Sequence, residues 1–341
     1  MNKDEAYRKI QTIFNASPSP VIVLGSGASI PYGLASMSEI SESLRILFSE
    51  KKYANAESNV CAQEILGNIY KGDGLEKALL DVRATEEVEN DIVENVWALI
   101  SRQDQSLYLG ILQGRALALT ELFNRMVYGR REATINVVTT NYDRIAEYAA
   151  SKTDSFINTG FSHSYFGVIK QSLDAYPTRL KESYTGKINI WKPHGSLDWF
   201  SKDGSSYYIP GVNSVPLGYR PCIITPGTNK YEKSSQEPHR SIMAHIDSIF
   251  SCASGFVCIG YGFNDIHIHP KLLQAAKNKR LPIMLVVKDI TESIAKNVTN
   301  DYDSIILSDN KHNGSIIQIG QETIEIANEP LWQLDCLCRI I

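Results

Sequence analysis

Hydrophobic positions change period along the chain, and each change marks an element. Ala6, Ile10, Ile13 and Phe14 recur at helical spacing, and this first helix must stop before Pro18 and Pro20. Val21 to Leu24 is a short apolar run rich in β-branched residues, and it ends in Gly25-Ser26-Gly27-Ala28-Ser29. That pattern predicts a buried strand entering a tight glycine turn. Ser36 and Glu39 form a capping-box pair, and Met37, Ile40, Leu44 and Leu47 follow at spacings of three and four, so a helix begins there. From about 37 to 130 the pattern stays helical and amphipathic, with only Lys71-Gly-Asp-Gly74 as firm punctuation. A crossover between two parallel strands needs far less chain than this.

After that stretch the strand signal returns. Ile135–Thr140, Ile188–Trp191, Cys222–Thr225, Phe256–Ile259 and Ile283–Val287 are short apolar runs without clean alternation, as expected of strands covered on both faces of a parallel sheet. Residues from about 151 to 220, rich in Ser, Tyr, Gly and Lys, read as loops or a small module. The C-terminal part adds one β-like run, Ser315–Ile319, and no obvious second functional domain. The expected architecture is therefore α/β: a Rossmann-like parallel-sheet domain formed by 1–36 and 131–341, interrupted by an inserted helical subdomain at 37–130.

Composition narrows the class. With 341 residues, 43% hydrophobic and 21% charged, the chain is an ordinary globular protein, which excludes disordered and fibrous classes. A net charge of −4 gives no indication of direct nucleic-acid binding. No apolar run exceeds five residues, as in Ile283–Val287, which is too short for a membrane span, and the first ten residues do not read as a signal peptide. Cys61, Cys222, Cys252, Cys258, Cys336 and Cys338 include no C-x-x-C pair, so no four-ligand zinc site is expected. Reduced thiols in a cytoplasmic protein are the expectation.

Four motifs stand at predicted strand ends. The Gly25–Ser29 loop suits close approach to a diphosphate, although a strand-to-helix turn needs the same glycines, and the dehydrogenase pattern fails at Ile30. Thr139-Thr140-Asn141-Tyr142-Asp143 offers an amide and a carboxylate two residues apart, and also reads as an Asx turn capping the next helix. Lys192-Pro193-His194-Gly195-Ser196 presents one histidine on a rigid turn, where a structural histidine is the competing reading. Gly260-Tyr-Gly262-Phe-Asn264-Asp265 suits a second close backbone approach to a ligand; His267 and His269 beyond it read as local hydrogen-bonding residues rather than metal ligands.

Taken in order, these motifs resemble the sirtuin family: GSGAS its first glycine loop, TTNYD its T-Q-N-I-D, KPHGS its H-G, and GYGFND its later nucleotide loop. The resemblance covers about Val21 to Val287 and implies a Rossmann-like fold that binds NAD. The sequence departs from the deacylases in lacking their four-cysteine module, in keeping only Ile30-Pro-Tyr-Gly-Leu34 of the segment after the first loop, and in carrying the helical insertion. It is closer to the sirtuin-like NAD hydrolases of bacterial anti-phage systems, which deplete NAD in abortive infection and in some cases act with HerA-type ATPases.

That resemblance implies roles. His194 becomes the candidate general base, Asn141 the group orienting a water or the carboxamide, and Asp143 the residue fixing the loop or stabilising positive charge. Gly25, Ser26, Gly27, Ala28 and Ser29 would cradle the diphosphate, Gly260, Gly262 and Asn264 the adenosine side, and Lys288 the adenine ribose, with Thr140 also among the NAD-binding residues. NAD is then a substrate rather than a resident cofactor. The rival expectations are an NAD-dependent protein deacylase and a silent NAD or ADP-ribose binding module regulating a partner ATPase. A free NAD hydrolase would be toxic, so a homo-oligomer gated by a companion is expected. The insertion would serve as the docking surface, or as a lid over the cleft.

Overall fold

The computed structural model describes residues 1–72, 74–80, 82–128, 133–170, 172–173, 184–227, 234–298 and 303–341. Helix α1 (Lys3–Phe14) precedes strand β1 (Val21–Leu24). Among the described residues five α-helices then intervene before the next strand: α2 (Met37–Glu50), α3 (Ala56–Lys71), α4 (Leu75–Leu80), α5 (Glu86–Leu112) and α6 (Ala118–Val127). The capping box forms as the sequence predicts: Ser36 Oγ accepts from the Glu39 amide, and the Ser36 amide donates to Glu39 at 2.8 Å. Residue 73 of the predicted Lys71–Gly74 turn lies outside the described residues.

Beyond the helices come β2 (Ala133–Thr139), α7 (Ile145–Ala150), β3 (Ser155–Asn158), β4 (Gly167–Val168), β5 (Gly186–Trp191), β6 (Gly195–Lys202), β7 (Ser205–Tyr208) and β8 (Arg220–Ile223). The chain continues through α8 (His239–Cys252), β9 (Phe256–Ile259), α9 (His269–Lys279), β10 (Ile283–Val286) and α10 (Glu292–Asn297). It closes with β11 (Ser304–Asp309), β12 (Ser315–Ile319), β13 (Glu322–Ile326) and α11 (Leu334–Leu337).

Among the described residues the main sheet has the order β13-β12-β11-β10-β9-β1-β2-β5-β3. Pairing is parallel from β11 through β3, and the β12–β13 hairpin adds an antiparallel edge. Strand β1 shows why these runs lack alternation. Ile22 and Leu24 enter the core beneath α1 to α7, whereas Val21 and Val23 enter a second core with Ile242, Ile246 and Phe250 of α8 and Leu272 of α9. Both faces are covered by helices, which makes this a Rossmann-like α/β fold. The helices between β1 and β2 share the first core: Leu44, Ile65, Trp97 and Leu122 pack in one cluster with Val137 and Ile188.

Two expectations need correction. Cys222–Thr225 does not add a strand to the parallel sheet. Cys222 instead belongs to β8, which pairs antiparallel with β6 in a small sheet of order β4-β7-β6-β8. Pro221 removes a ladder donor from that run, so an edge position suits it and a central one does not. The C-terminal region holds three strands rather than one. β13 escapes the eye because it is largely exposed. As the capping box predicts, α2 starts at Met37; two 3-10 turns, Ser26–Ala28 and Ile30–Tyr32, precede it.

Candidate functional site

A cleft of about 210 Å³ opens at the C-terminal ends of β1, β2 and β9. Strands run outward from β1 in both directions, toward β2, β5 and β3 on one side and toward β9, β10 and β11 on the other. Loops that leave neighbouring strand ends at such a reversal diverge and leave a crevice. Gly25, Ser26 and Ser29 line it from β1; Thr140, Asn141 and Asp143 from β2; His194 from the turn after β5; Gly262, Asn264 and Asp265 from β9. Leu34, Met37, Ile40, Glu76 and Ile100 supply the wall contributed by the segment between β1 and β2.

The glycines have a reason that does not involve a ligand. The β1 and β9 loops pack backbone against backbone: the Gly27 amide donates to the Gly260 carbonyl at 3.0 Å. A Cβ on Gly25 would sit 2.4 Å from Gly260 O, and one on Gly260 would sit 2.3 Å from the Ala28 nitrogen. Gly260 also has φ +57°, a left-handed conformation that costs an L residue about 1–2 kcal/mol. Two strand-end loops therefore lock together to form the floor of the cleft, with Ser26 and Ser29 facing its space.

The β2 loop is tied to the same glycine loop. Asn141 Nδ2 donates to Gly25 O at 2.8 Å and to Ser29 Oγ at 2.9 Å, which consumes both amide hydrogens. Its carbonyl oxygen is the group it can offer to the cleft. Ser29 Oγ donates in turn to Asp143 Oδ2 at 2.7 Å, and Asp143 Oδ1 accepts from the Ile145 amide at 3.1 Å, the Asx cap anticipated for α7. Asp143 is thus buried and structural in its contacts. Burial pushes its carboxyl upward, opposed by the Lys192 ammonium and the Ser29 hydroxyl.

Beneath this loop lies a buried network of charges that motif reading did not single out. Lys192 Nζ reaches Glu147 at 2.9 Å and donates to the backbone carbonyl of Asp143. The Arg144 guanidinium contacts Asp104 of α5 and Asp198 of β6, each at 2.7 Å. Asp104 also accepts from the Arg144 amide at 2.8 Å and from Tyr148 Oη at 2.6 Å. Desolvation raises the carboxyls of Glu147 and Asp198 despite these cations. The signal available in the sequence was adjacency: Arg144 and Lys192 border TTNYD and begin KPHGS, yet a charged residue beside a motif is ordinarily solvated.

Between Pro193 and Ser196, the chain turns sharply. Gly195 has φ +89°, and a Cβ there would lie 1.9 Å from Cys222 O, so β8 passes directly over the turn. The Gly195 amide donates to Lys192 O, and the Ile224 amide to His194 O at 2.8 Å, which leaves the imidazole facing the cleft. Its Nε2 stands 3.0 Å from Asp265 Oδ2.

The structure therefore brings Asn141, Asp143 and His194 to one cleft with Gly25, Ser26, Ser29, Thr140, Gly262 and Asn264. Gly27, Ala28 and Gly260 support it from behind, through the loop–loop contact. Lys288 is exposed at the end of β10 and does not line the cleft. Motif reading gave no role to Asp265, Lys192, Arg144 or Asp104. Among the described residues no cluster of potential metal ligands occurs, and no helix is long and apolar enough to cross a membrane.

Residues 135–317, more than half of the chain, match the SIR2-like domain family. No curated protein matches the sequence. Several solved structures are similar. A Sir2 homologue in complex with NAD is 13% identical, over 89% of this chain and 88% of its own, with a TM-score of 0.42. A mutant Sir2 homologue in complex with ADP-ribose is 14% identical, over 100% of this chain and 96% of its own, with a TM-score of 0.43. A third, solved to explain the mechanism and regulation of Sir2 enzymes, is 14% identical over 89% and 92%, with a TM-score of 0.43.

Proposed function

Because the chain belongs to the SIR2-like domain family, we propose that it is an NAD hydrolase, cleaving NAD to nicotinamide and ADP-ribose. The observation that carries this reading is the convergence of Asn141, Asp143 and His194 on one cleft at the reversal of strand order. The Gly25, Ser26 and Ser29 side would receive the diphosphate, and Gly262 with Asn264 the adenosine. Ligand pockets usually enclose roughly 300–1,000 Å³. The smaller space here, about 210 Å³, suits the nicotinamide ribose, with the rest of the dinucleotide lying along the open rim.

In the reaction the bond between nicotinamide nitrogen and ribose carbon breaks, and its electron pair leaves with neutral nicotinamide. Water adds to the oxocarbenium carbon, and the proton it sheds passes to His194. Asn141, its amide hydrogens committed to Gly25 and Ser29, would present Oδ1 to the water or to the carboxamide. Asp143 would hold the loop through Ser29. Fixing reactants in such a frame is where most of the acceleration would arise.

In this reading residues 37–130 are an inserted helical subdomain, and 1–36 with 131–341 form the NAD-binding domain. NAD depletion would serve anti-phage defence by abortive infection. The cytoplasmic protein would be a homo-oligomer activated by a companion, a HerA-type ATPase. Exposed Val60 and Tyr70 on α3 and Leu109 and Leu112 on α5 support the insertion as a docking surface. A monomer by light scattering, with fast turnover that no companion changes, would sink the gating idea.

Purified protein incubated with NAD tests the activity. We expect free nicotinamide and ADP-ribose without any acyl peptide, undiminished by a strong chelator because no zinc is invoked. Release only with an acyl-lysine peptide would establish a deacylase instead. Binding of NAD without turnover would establish a silent module.

A further inference from the structure

His194 has a partner whose placement is unusually constrained. Asp265 follows β9, and its two carboxylate oxygens are divided between two tasks. Oδ1 accepts from the amides of His267 and Ile268, both at 2.9 Å. The Asp265 carbonyl accepts from the His269 amide at 3.1 Å, at the start of α9. These bonds tie Asp265 to the start of α9. Oδ2 stands 3.0 Å from His194 Nε2. The ring N–H is not yet aligned on that oxygen, so the pair is in contact without a formed hydrogen bond. Such contacts commonly tighten only when substrate binds. Both side chains are almost fully buried, with 10% and 9% of their surface exposed.

We propose that Asp265 is a positioning residue for His194. Its carboxylate accepts a hydrogen bond from Nε2–H, holds the imidazole in that tautomer, and so turns the unprotonated Nδ1 toward the cleft as the base. Nδ1 has no hydrogen-bond partner among the described residues, while the ring lines the cleft. When Nδ1 takes the proton from the attacking water, the imidazolium that forms stands against a carboxylate already in place. Such an arrangement requires a base whose orientation is set by a third group, and here that group comes from a loop remote in sequence. The proposal rests on the hydrolase reading for its kinetic consequence, but the tautomer does not depend on it.

The test substitutes Asp265→Asn in the full-length protein. The side-chain carbonyl can still accept from the His267 and Ile268 amides, so the start of α9 keeps its cap. The amide then faces the ring as a donor and selects the opposite tautomer. Long-range ¹H–¹⁵N spectra of ¹⁵N-histidine protein, with His194 assigned by its absence in His194→Ala, should show Nε2–H in the wild type. They should show Nδ1–H in Asp265→Asn. Turnover should fall at least about 10²-fold, with KM for NAD changed less than about threefold, as expected when only the tautomer is lost. A wild-type His194 protonated on Nδ1, or an Asp265→Asn protein with kcat within about threefold of wild type, would overturn the pairing. A KM change that accounts for the whole loss would overturn it as well. A wild type that does not cleave NAD would defeat the hydrolase reading alone, and the wild-type tautomer would still decide the dyad.

Discussion

His194→Ala and Asn141→Ala are each expected to abolish NAD cleavage while the protein stays folded. A positioned general base contributes about 10² to 10⁴ in rate, and His194 is the imidazole at the cleft. Asn141 should cost at least as much, because its removal acts twice. It deletes the carbonyl offered to the water or carboxamide, and it releases Gly25 O and Ser29 Oγ from their donors. The two variants should differ in a second respect. His194→Ala removes a side chain whose one polar contact among the described residues is with Asp265, so its melting temperature should fall less than that of Asn141→Ala. Asn141→Ala leaves Gly25 O and Ser29 Oγ without that donor and should lose roughly 1–3 kcal/mol. Nicotinamide release and thermal unfolding, measured on the same preparations, check both. Wild-type turnover in either variant would remove that residue from the chemistry, and an unfolded His194→Ala would show the histidine to be structural.

The difference between these two residues tracks how far the sequence could be read. Elements announced themselves where one physical cause dominated. β1, β2, β5, β9 and β10 are apolar because helices cover both faces, and α2 begins at Ser36 because its side chain caps the Glu39 amide. The ends of four such strands, β1, β2, β5 and β9, pointed to the cleft for the same reason. What stayed hidden depended on contacts between distant segments. Nothing near Gly25 says that Gly260 will sit against it, so its glycine is explained equally well by a ligand and by a neighbouring loop. The GYGFND motif was legible as a backbone feature, yet its last residue faces His194 from 71 positions away. β8 was misplaced because its apolar residues fit either sheet, and only Pro221 argued for an edge.

The least legible feature is the charge network, and it supports the largest stability prediction. Arg144 is the residue after Asp143, and its guanidinium ties α5 through Asp104 and the small sheet through Asp198 to the loop that carries Asn141. Replacing a buried ion cluster as a whole can be neutral, but removing one member leaves the others uncompensated. Arg144→Met deletes the cation between two buried carboxylates, and we expect it to lose about 3–5 kcal/mol in denaturant titrations. Burial already raises the Asp198 carboxyl while the guanidinium opposes it. Without that opposition its folded pKa rises further above its unfolded value. A group shifted that way contributes stability below its unfolded pKa and loses it as pH rises through the folded one. The deficit should therefore be larger at about pH 8 than at about pH 5. Replacing both aspartates by leucine in the same variant should recover much of the loss, since no buried charge then remains at Asp104, Arg144 and Asp198. A deficit below about 1 kcal/mol, or one that grows toward acid, would show that solvent reaches these carboxylates and that α5 does not brace the catalytic loop through them.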